Sequence, residues 1–404
     1  MTWEKIKLQN CCLSIADGDH QPPPKAENGI PFITISNFTN TNDIDFTNTM
    51  FVPDKYYHQL DSKRKAQSGD ILYSVVGSFG IPVLIKEKHA FVFQRHIAIL
   101  RPDKNKIDPA FLFYTMLNSS FYAKADAVAV GSAQRTISLG ALRNIEINLP
   151  NLSVQQRIVK VLSAYNELIE VNQKQIRLLE EAARRLYREW FVDLRFPGHE
   201  DTPITDGIPA GWSKTHISEI CQMVSGGTPS TKVESYYSNG SIPWVTPTDI
   251  TQNKALFFLD TEKKITEDGL HHSSAKMVPA GTILMTSRAS VGYFGMCDFE
   301  VCTNQGFISC IPNQSNLQMF LLFNLKNRIG EIRQKAGGST YLEIRKTTLG
   351  TFDILIPSAP ILQLFQNITQ SIFQKERSLL KTNKLLQEAR DRLLPKLMNG
   401  EIEV

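Results

Sequence analysis

The side chains that could do chemistry are scattered along this chain, and none has the spacing of a known catalytic or metal-binding motif. His271 and His272 are adjacent, but neighbouring side chains diverge on any regular element, which disfavours a shared metal ion. Asp70, Glu87 and Lys88 could be grouped as a nuclease-like set, but such groups arise by chance among 44 basic and 40 acidic residues. The sequence has no Gly-Lys pair for a phosphate loop, no G-x-G-x-x-G and no H-E-x-x-H. We therefore expect no catalytic residue, no metal site and no cofactor bound by this chain.

Length and composition indicate a globular protein of several domains. The chain has 404 residues, of which 42% are hydrophobic and 21% charged, and a single domain rarely exceeds about 200 residues. No apolar run approaches the roughly 18 residues that span a bilayer. The six cysteines show no C-x-x-C spacing, which is typical of a reducing compartment. We expect a cytoplasmic protein with no membrane contact, and the net charge of +4 excludes a strongly basic tail.

The chain contains two copies of one pattern. Residues 30–34 (Ile-Pro-Phe-Ile-Thr) return as residues 242–246 (Ile-Pro-Trp-Val-Thr), a displacement of 212 positions. The apolar pattern of residues 142–150 returns at 349–357, a displacement of 207. Two copies at so long a period indicate duplication of a whole domain and exclude a solenoid.

The first part of each copy predicts short strands. Gly, Pro, Asn and Asp interrupt it every 8–12 positions, and the runs between them are β-branched or aromatic. In the first copy these runs lie at residues 30–35, 71–76, 91–100 and 145–149. A short helix is predicted over residues 109–118, with a counterpart over 318–329.

The second part of each copy predicts a long helix, from Ser153 to Trp190 and again until Pro395. Ser153 and Gln156 have the spacing of a capping box, and a proline ends most helices. Apolar residues recur every seven positions, the pattern of a coiled coil, and Asn172 in this stripe is expected to fix the register. The coiled-coil residues are Ile158, Leu162, Tyr165, Ile169, Ile176, Leu179, Leu186, Phe365, Ile372, Leu379, Leu386 and Leu393.

These patterns together predict an α+β fold. Two strand-rich α/β domains are separated by two long antiparallel coiled-coil helices, in a tandem pseudo-repeat. The predicted segments are residues 1–150, 151–196, 197–211, 212–357 and 358–404, of which the third is a linker rich in proline, glycine and acidic residues.

With this organisation, the chain resembles the DNA-specificity (S) subunits of type I restriction–modification systems. The resemblance covers almost the whole chain and rests on short strings whose order is repeated. These are Ser-Val-Gln-Gln-Arg-Ile at 153–158, Gly-Trp at 211–212, Ser-Gly-Gly-Thr-Pro at 225–229, Ile-Pro-Trp at 242–244, Ala-Ser-Val-Gly at 289–292 and Leu-Pro-Lys-Leu-Met-Asn-Gly at 394–400. The second copy departs from the pattern, because Leu-Gln-Leu at 362–364 replaces the Gln-Gln-Arg run.

The resemblance implies that residues 1–150 and 212–357 are target-recognition domains, each reading one half of a bipartite sequence in double-stranded DNA. Residues 151–196 and 358–404 would be conserved helical regions that fix the gap between the half-sites. These regions would dock two modification (methyltransferase) subunits, and restriction subunits would join them. S-adenosylmethionine, ATP and Mg²⁺ are then expected in the partner subunits, and this chain would be a non-catalytic component.

Polar loops at corresponding places in the two copies provide the candidate DNA-binding residues. Their amide, hydroxyl and guanidinium groups could donate to and accept from base edges in the major groove. The candidates in the first copy are Lys25, Asn37, Ser74, Ser78, Arg95, His96, Gln134 and Arg135, and those in the second are Thr228, Ser230, Lys232, Asp249, Ser287, Arg288, Asn304, Gln305, Ser339 and Tyr341.

Two other functions are compatible with the same patterns. Long amphipathic helices are common dimerisation devices, so the chain could be a coiled-coil protein scaffold with two interaction domains and no DNA role. An autonomous enzyme, such as a nuclease with an unrecognised site, is the other alternative.

Overall fold

A computed structural model describes residues 3–20, 23–39, 41–87, 89–132, 134–253, 255–338 and 341–404. The chain divides into two compact units. Unit 1 comprises Met1–Leu168 and Leu386–Val404, and unit 2 comprises Ile169–Leu385. Each unit therefore combines one strand-rich domain with a stretch of each long helix.

The domain of unit 1 alternates short strands with short helices. Its elements are β1 (Glu4–Lys7), α1 (Leu8–Cys11), β2 (Cys12–Asp17), β3 (Ile30–Ile33), β4 (Met50–Val52), α2 (Asp54–Gln59), β5 (Ile71–Ser74), β6 (Pro82–Leu84), β7 (Val92–Phe93), β8 (Ile97–Pro102), α3 (Pro109–Leu117), α4 (Ser119–Ala127), α5 (Leu139–Asn144) and β9 (Glu146–Leu149). The predicted helix at 109–118 is confirmed as α3, which Asp108 caps by accepting from the Ala110 N–H at 2.8 Å. The predicted strand at 91–100 is wrong as one element, because a turn at Arg95 and His96 divides it into β7 and β8.

Besides the antiparallel pair β1-β9, two larger sheets form this domain. One is antiparallel in the order β2-β8-β5-β6, and the other has the order β4-β3-β7, with β3 parallel to β7. Strands β5 and β8 are almost wholly buried, so they read as continuous apolar runs without alternation. Leu72, Phe93 and Ile99 belong to one buried core cluster between the sheets.

The domain of unit 2 repeats this architecture. The linker hairpin, β10 (Ile204–Thr205) and β11 (Ile208–Pro209), is followed by β12 (Ser213–His216), α7 (Ile217–Ile220), β13 (Cys221–Ser225), β14 (Ile242–Val245), α8 (Pro247–Thr251), β15 (Lys263–Ile265), α9 (Glu267–His271), β16 (Ile283–Thr286), β17 (Phe294–Gly295), β18 (Cys302–Thr303), β19 (Phe307–Pro312), α10 (Gln318–Asn327), α11 (Ile329–Lys335), α12 (Lys346–Gly350) and β20 (Asp353–Ile356). Its sheets have the orders β13-β19-β16-β17 and β15-β14-β18. Since each order matches its counterpart in unit 1, the predicted duplication is confirmed.

The two long helices are continuous. Helix α6 (Leu152–Tyr187) has 36 residues and ends in a π-helical turn, Arg188–Val192, and α13 (Ala359–Met398) has 40 residues. The predicted capping box is wrong by two residues, because Asn151 accepts from the Val154 N–H at 3.0 Å. The predicted end at Pro395 is also wrong. Pro395 lies inside the last turn of α13, where its missing N–H removes only the helical hydrogen bond to the carbonyl of residue 391.

Within unit 2 the two helices run antiparallel. The Asn172 amide donates to the Asn383 side-chain oxygen at 2.8 Å, and 18 positions along α6 the Trp190 ring lies 6.0 Å from the Phe365 ring. Residues later in the first helix thus contact residues earlier in α13, as in an antiparallel pair. Both asparagines are buried, and a buried polar pair favours one register because any slip leaves it unsatisfied.

The predicted coiled-coil residues line these helices without becoming exposed. Six are buried: Ile158, Leu162, Ile169, Ile176, Phe365 and Leu379. The other six are half-buried: Tyr165, Leu179, Leu186, Ile372, Leu386 and Leu393.

Sequence periodicity did not predict the buried polar residues that attach each domain to its helices. In unit 1, Gln155 is fully buried, accepts from the Asp108 N–H at 2.8 Å and donates to the Pro150 carbonyl at 2.8 Å. Unit 2 lacks this glutamine, and Gln366 instead accepts from the Met319 N–H at 3.2 Å. The departure from the Gln-Gln-Arg run is therefore compensated one turn later in the helix.

The half-buried Glu180 and the buried Glu376 make a second attachment in unit 2. Glu180 of α6 accepts from the Leu256 N–H at 2.6 Å, and Glu376 of α13 accepts from the Phe257 N–H at 3.1 Å. Burial and the nearby Glu180 raise the pKa of Glu376 to about 8, against partial opposition from Lys326 and Arg377. Burial also raises the pKa of Glu180. The segment at Leu256 is thus held by two carboxyl groups that resist ionisation.

The Glu376→Gln variant is expected to be more stable than the parent at alkaline pH. The unfolded chain releases this proton near pH 4.5 and the folded chain near pH 8, so stability falls as pH rises through that window. Glutamine has the shape of the protonated acid and does not titrate. The melting temperature of the variant should exceed that of the parent by a few degrees, and the difference should be larger at pH 8.5 than at pH 5.5.

The exposed Glu388 of α13 offers a matched control, because Glu388→Gln should shift the melting temperature equally at both values. A difference in melting temperature between Glu376→Gln and the parent that did not grow with pH would contradict the raised pKa of Glu376.

Candidate nucleic-acid interface

Three strand ends meet at one edge of the antiparallel sheet in unit 1. Strand β2 ends at Asp17, β5 ends at Ser74, and β8 begins at Ile97, which pairs with Ser74. Asp17 pairs with Ala98, the next residue of β8. Because adjacent strands are antiparallel, the loops after β2, after β5 and before β8 all leave the sheet at this edge.

Backbone hydrogen bonds join these loops to a fourth one. The Val75 N–H donates to the His96 carbonyl at 2.9 Å, and the Val75 carbonyl accepts from the Ile137 N–H at 2.9 Å. Next to them, the Gly77 N–H donates to the Arg135 carbonyl at 2.9 Å. We call the joined segments the first loop cluster, which comprises residues 17–20, 75–80, 94–96, 130–132 and 134–136.

Unit 2 repeats this arrangement. The Ser287 N–H donates to the Gly306 carbonyl at 2.7 Å, and the Ser287 carbonyl accepts from the Ile344 N–H at 2.9 Å. The Ala289 N–H donates to the Leu342 carbonyl at 2.9 Å. The second loop cluster comprises residues 225–232, 287–292, 304–306, 337–338 and 341–343. Two domains with different loop sequences thus build the same arrangement of bonded loops, which we call the platform.

One glycine in each cluster explains a repeated sequence match. Gly80 has φ +93 and Gly292 has φ +90, a region that only glycine enters without strain. A Cβ at Gly80 would lie 2.6 Å from the Tyr122 ring, and one at Gly292 would lie 1.7 Å from Ile329. These glycines let the loop turn tightly against the following helices.

Some predicted DNA-binding residues of unit 1 are exposed and others are not. Lys25, Ser78, Arg95 and Gln134 are exposed, and His96 is half-buried. Within the described ranges, no ion pair holds the Arg95 guanidinium.

Arg135 is committed to a neighbour in the same unit. It pairs with Asp126 at 2.6 Å. Ser78, Arg95, His96, Gln134 and Arg135 come together in the first loop cluster, whereas Lys25 lies in the loop before β3.

Four predicted residues use their polar groups inside the fold. Asn37 and Asp249 occupy equivalent positions, and each closes a capping box with the threonine three residues earlier. Ser74 is fully buried and accepts from the Ile81 N–H at 2.9 Å, and Ser287 is also buried. These side chains shape the loops and are poorly placed to reach a ligand.

The remaining predicted residues that the structure describes lie in the second loop cluster. Thr228, Ser230, Lys232, Arg288, Gln305 and Tyr341 are exposed. Thr228 donates to the Gln305 side chain, and the Asn304 side chain accepts from the Gly306 N–H at 2.9 Å. In the part of the chain that the structure describes, the Arg288 guanidinium has no ion-pair partner. Ser339 and Lys88 lie outside the described residues.

Sequence reasoning missed a charged network in the first loop cluster. Arg64 lies 3.6 Å from Asp17 and 3.8 Å from Asp19, and Tyr56 donates to Asp19. Burial and this hydrogen bond raise the pKa of Tyr56 to about 12. The Asp-Gly-Asp sequence directly after a strand was the available signal.

Comparison with known proteins identifies the family. The profile of the type I restriction modification DNA specificity domain matches residues 2–181 and 209–389. The chain belongs to this family. Its two matches coincide with the two copies of the repeat, as expected for a specificity subunit rather than a catalytic one.

Relatives match either most of the chain or one part of it. The specificity subunit of the type I restriction enzyme HindI from Haemophilus influenzae is 25% identical over 90% of this chain and 94% of its own length. The MjaIX specificity subunit from Methanocaldococcus jannaschii is 34% identical over 41% of this chain and 40% of its own length. The crystal structure of the S subunit from M. genitalium covers 98% of this chain and 96% of its own, with a TM-score of 0.55 at 18% identity. This likeness shows the predicted fold, and no described helix is long and apolar enough to cross a membrane.

Proposed function

We propose that this specificity subunit reads a bipartite DNA sequence, with one loop cluster for each half-site. The supporting observation is that two domains build the same platform from one sheet edge while presenting different polar side chains. Arg95 of the first cluster corresponds to Gln305 of the second, and both are exposed. A conserved backbone with varied side chains suits two half-sites of different sequence.

The exposed residues have the chemistry of base readers. An arginine such as Arg95 or Arg288 can donate two hydrogen bonds to guanine, and a glutamine such as Gln305 can pair with adenine in the same bidentate way. A net charge of only +4 implies that partners supply much of the attraction to phosphate.

Genome-wide mapping of methylated adenine tests this function directly. Cells that express the chain with its modification subunit should carry methylation in a motif of two halves at fixed separation. Arg95→Ala should relax one base position in one half, and Gln305→Ala should relax one position in the other half, each by roughly tenfold or more.

Lys326→Ala provides a control, because Lys326 lies on α10, outside both clusters. It should leave the motif unchanged. A continuous motif, or a variant that changes both halves, would contradict the assignment of one cluster to each half-site.

We also propose that the long helices fix the gap and dock two modification subunits, which restriction subunits then join. Val171 and Leu178 of α6 are 59% and 60% exposed, and Leu385 of α13 is 65% exposed. Apolar side chains on the outer face of a paired helix suit a protein partner. S-adenosylmethionine, ATP and Mg²⁺ would act in those partners, in the cytoplasm.

Leu178→Glu should weaken docking without unfolding the chain, since it places a charge in the proposed interface while the exposed side chain contributes little to the core. Co-purification with the modification subunit measures the effect, and a loss of at least tenfold in affinity is expected. Ile204→Glu, at a position 51% exposed in the linker hairpin, is the control. Equal affinities of the two variants would place the docking surface elsewhere.

A further inference from the structure

Large apolar side chains are exposed in both loop clusters and directly beside them. In unit 2 these are Tyr293, Tyr341 and Leu342, at 45%, 59% and 40% exposure. In unit 1, Tyr122 and Val130 are 45% and 67% exposed. Isolated exposed apolar residues are ordinary, but here they gather around the same two loops in both units.

Their contacts hold them beside the polar readers. The Tyr293 N–H donates to the Thr286 hydroxyl at 2.9 Å, at the end of the loop that carries Arg288. The Leu342 carbonyl accepts from Ala289 of that same loop at 2.9 Å. Tyr341 precedes Leu342, so the three apolar side chains lie on segments that are bonded to the loop of the exposed arginine.

Unit 1 reaches the same arrangement with other residues. The Tyr122 ring stacks on Phe79 at 5.2 Å, with 8° between the ring planes. Val130 forms a bridge with Thr136 in the hairpin that also carries Gln134. The apolar group thus lies next to the loop after β5 in unit 1 and after β16 in unit 2, although the residues that provide it differ.

Each of these side chains leaves much of its apolar surface in water. A partner that covered them would gain the free energy of burying that surface. The family to which the chain belongs makes duplex DNA the partner, and the neighbouring Arg288 and Gln305 match major-groove edges. The apolar group on those edges is the 5-methyl group of thymine.

We propose that Tyr341 and Leu342 contact thymine 5-methyl groups in the half-site read by unit 2. This inference rests on the proposed function and adds a chemical class of contact to it. Val130 has the corresponding role in unit 1. The two clusters then discriminate bases through hydrogen bonds and through apolar contacts.

Deoxyuridine, which lacks only the methyl group, is the probe. The intact complex with its modification subunits is titrated with duplexes of the mapped target, in which each thymine of the second half-site is replaced singly. At least one replacement should weaken binding by about fourfold, the effect of one buried methyl group. At that position, Leu342→Ser or Tyr341→Ser should bind the thymine and uracil duplexes equally.

The first half-site supplies an internal control, because its response to deoxyuridine should persist in both variants. Leu364→Ser, at a position 41% exposed on α13, should preserve every response. A wild-type complex that tolerates deoxyuridine throughout the second half-site overturns the inference, as does a half-site without an A·T pair or a variant that retains the wild-type ratio. A wild-type complex that binds no bipartite target overturns the proposed function itself.

Discussion

The recognition domains depend on one backbone constraint, in which the residue that follows a central strand bonds to loops on both sides. Val75 does this in unit 1 and Ser287 in unit 2, and each uses its N–H for one loop and its carbonyl for another. Because these bonds use no side chain, they hold the loops together whatever residues the loops carry. The platform can therefore keep its shape while the exposed residues change.

This separation of backbone and side chain explains the asymmetry of the two surfaces. Arg95 in the first cluster corresponds to Gln305 at the equivalent place in the second. A charged network around Arg64 occurs in unit 1 alone among the described residues. The attachments to the helices are also unequal, since Gln155 in unit 1 is replaced in unit 2 by Gln366 and by the glutamates Glu180 and Glu376. Duplication preserved the architecture, and each unit then acquired its own polar contacts.

The repeat and the heptads predicted the architecture because both depend on residues that recur at fixed spacing. They could not predict Asn37 and Asp249 as cap residues, since a polar residue after a strand suits a cap and a ligand equally. The buried Glu376 was missed because its hydrogen-bond partner, the Phe257 N–H, lies far away in sequence. The end of α13 was wrongly predicted at Pro395, because the free-energy cost of a proline in a helix depends on how much helix follows it.

We assign base reading to the loop clusters and the gap between the half-sites to the helices. Lengthening the helices tests this division most directly. One heptad is inserted in α6 after Gln175 and one in α13 after Leu379, and methylated adenines are mapped in cells. Seven residues add about 10 Å to a helix, so the gap between half-sites should lengthen, by up to about three base pairs, with both half-sites unchanged. A motif whose bases changed while its gap stayed constant would contradict the account.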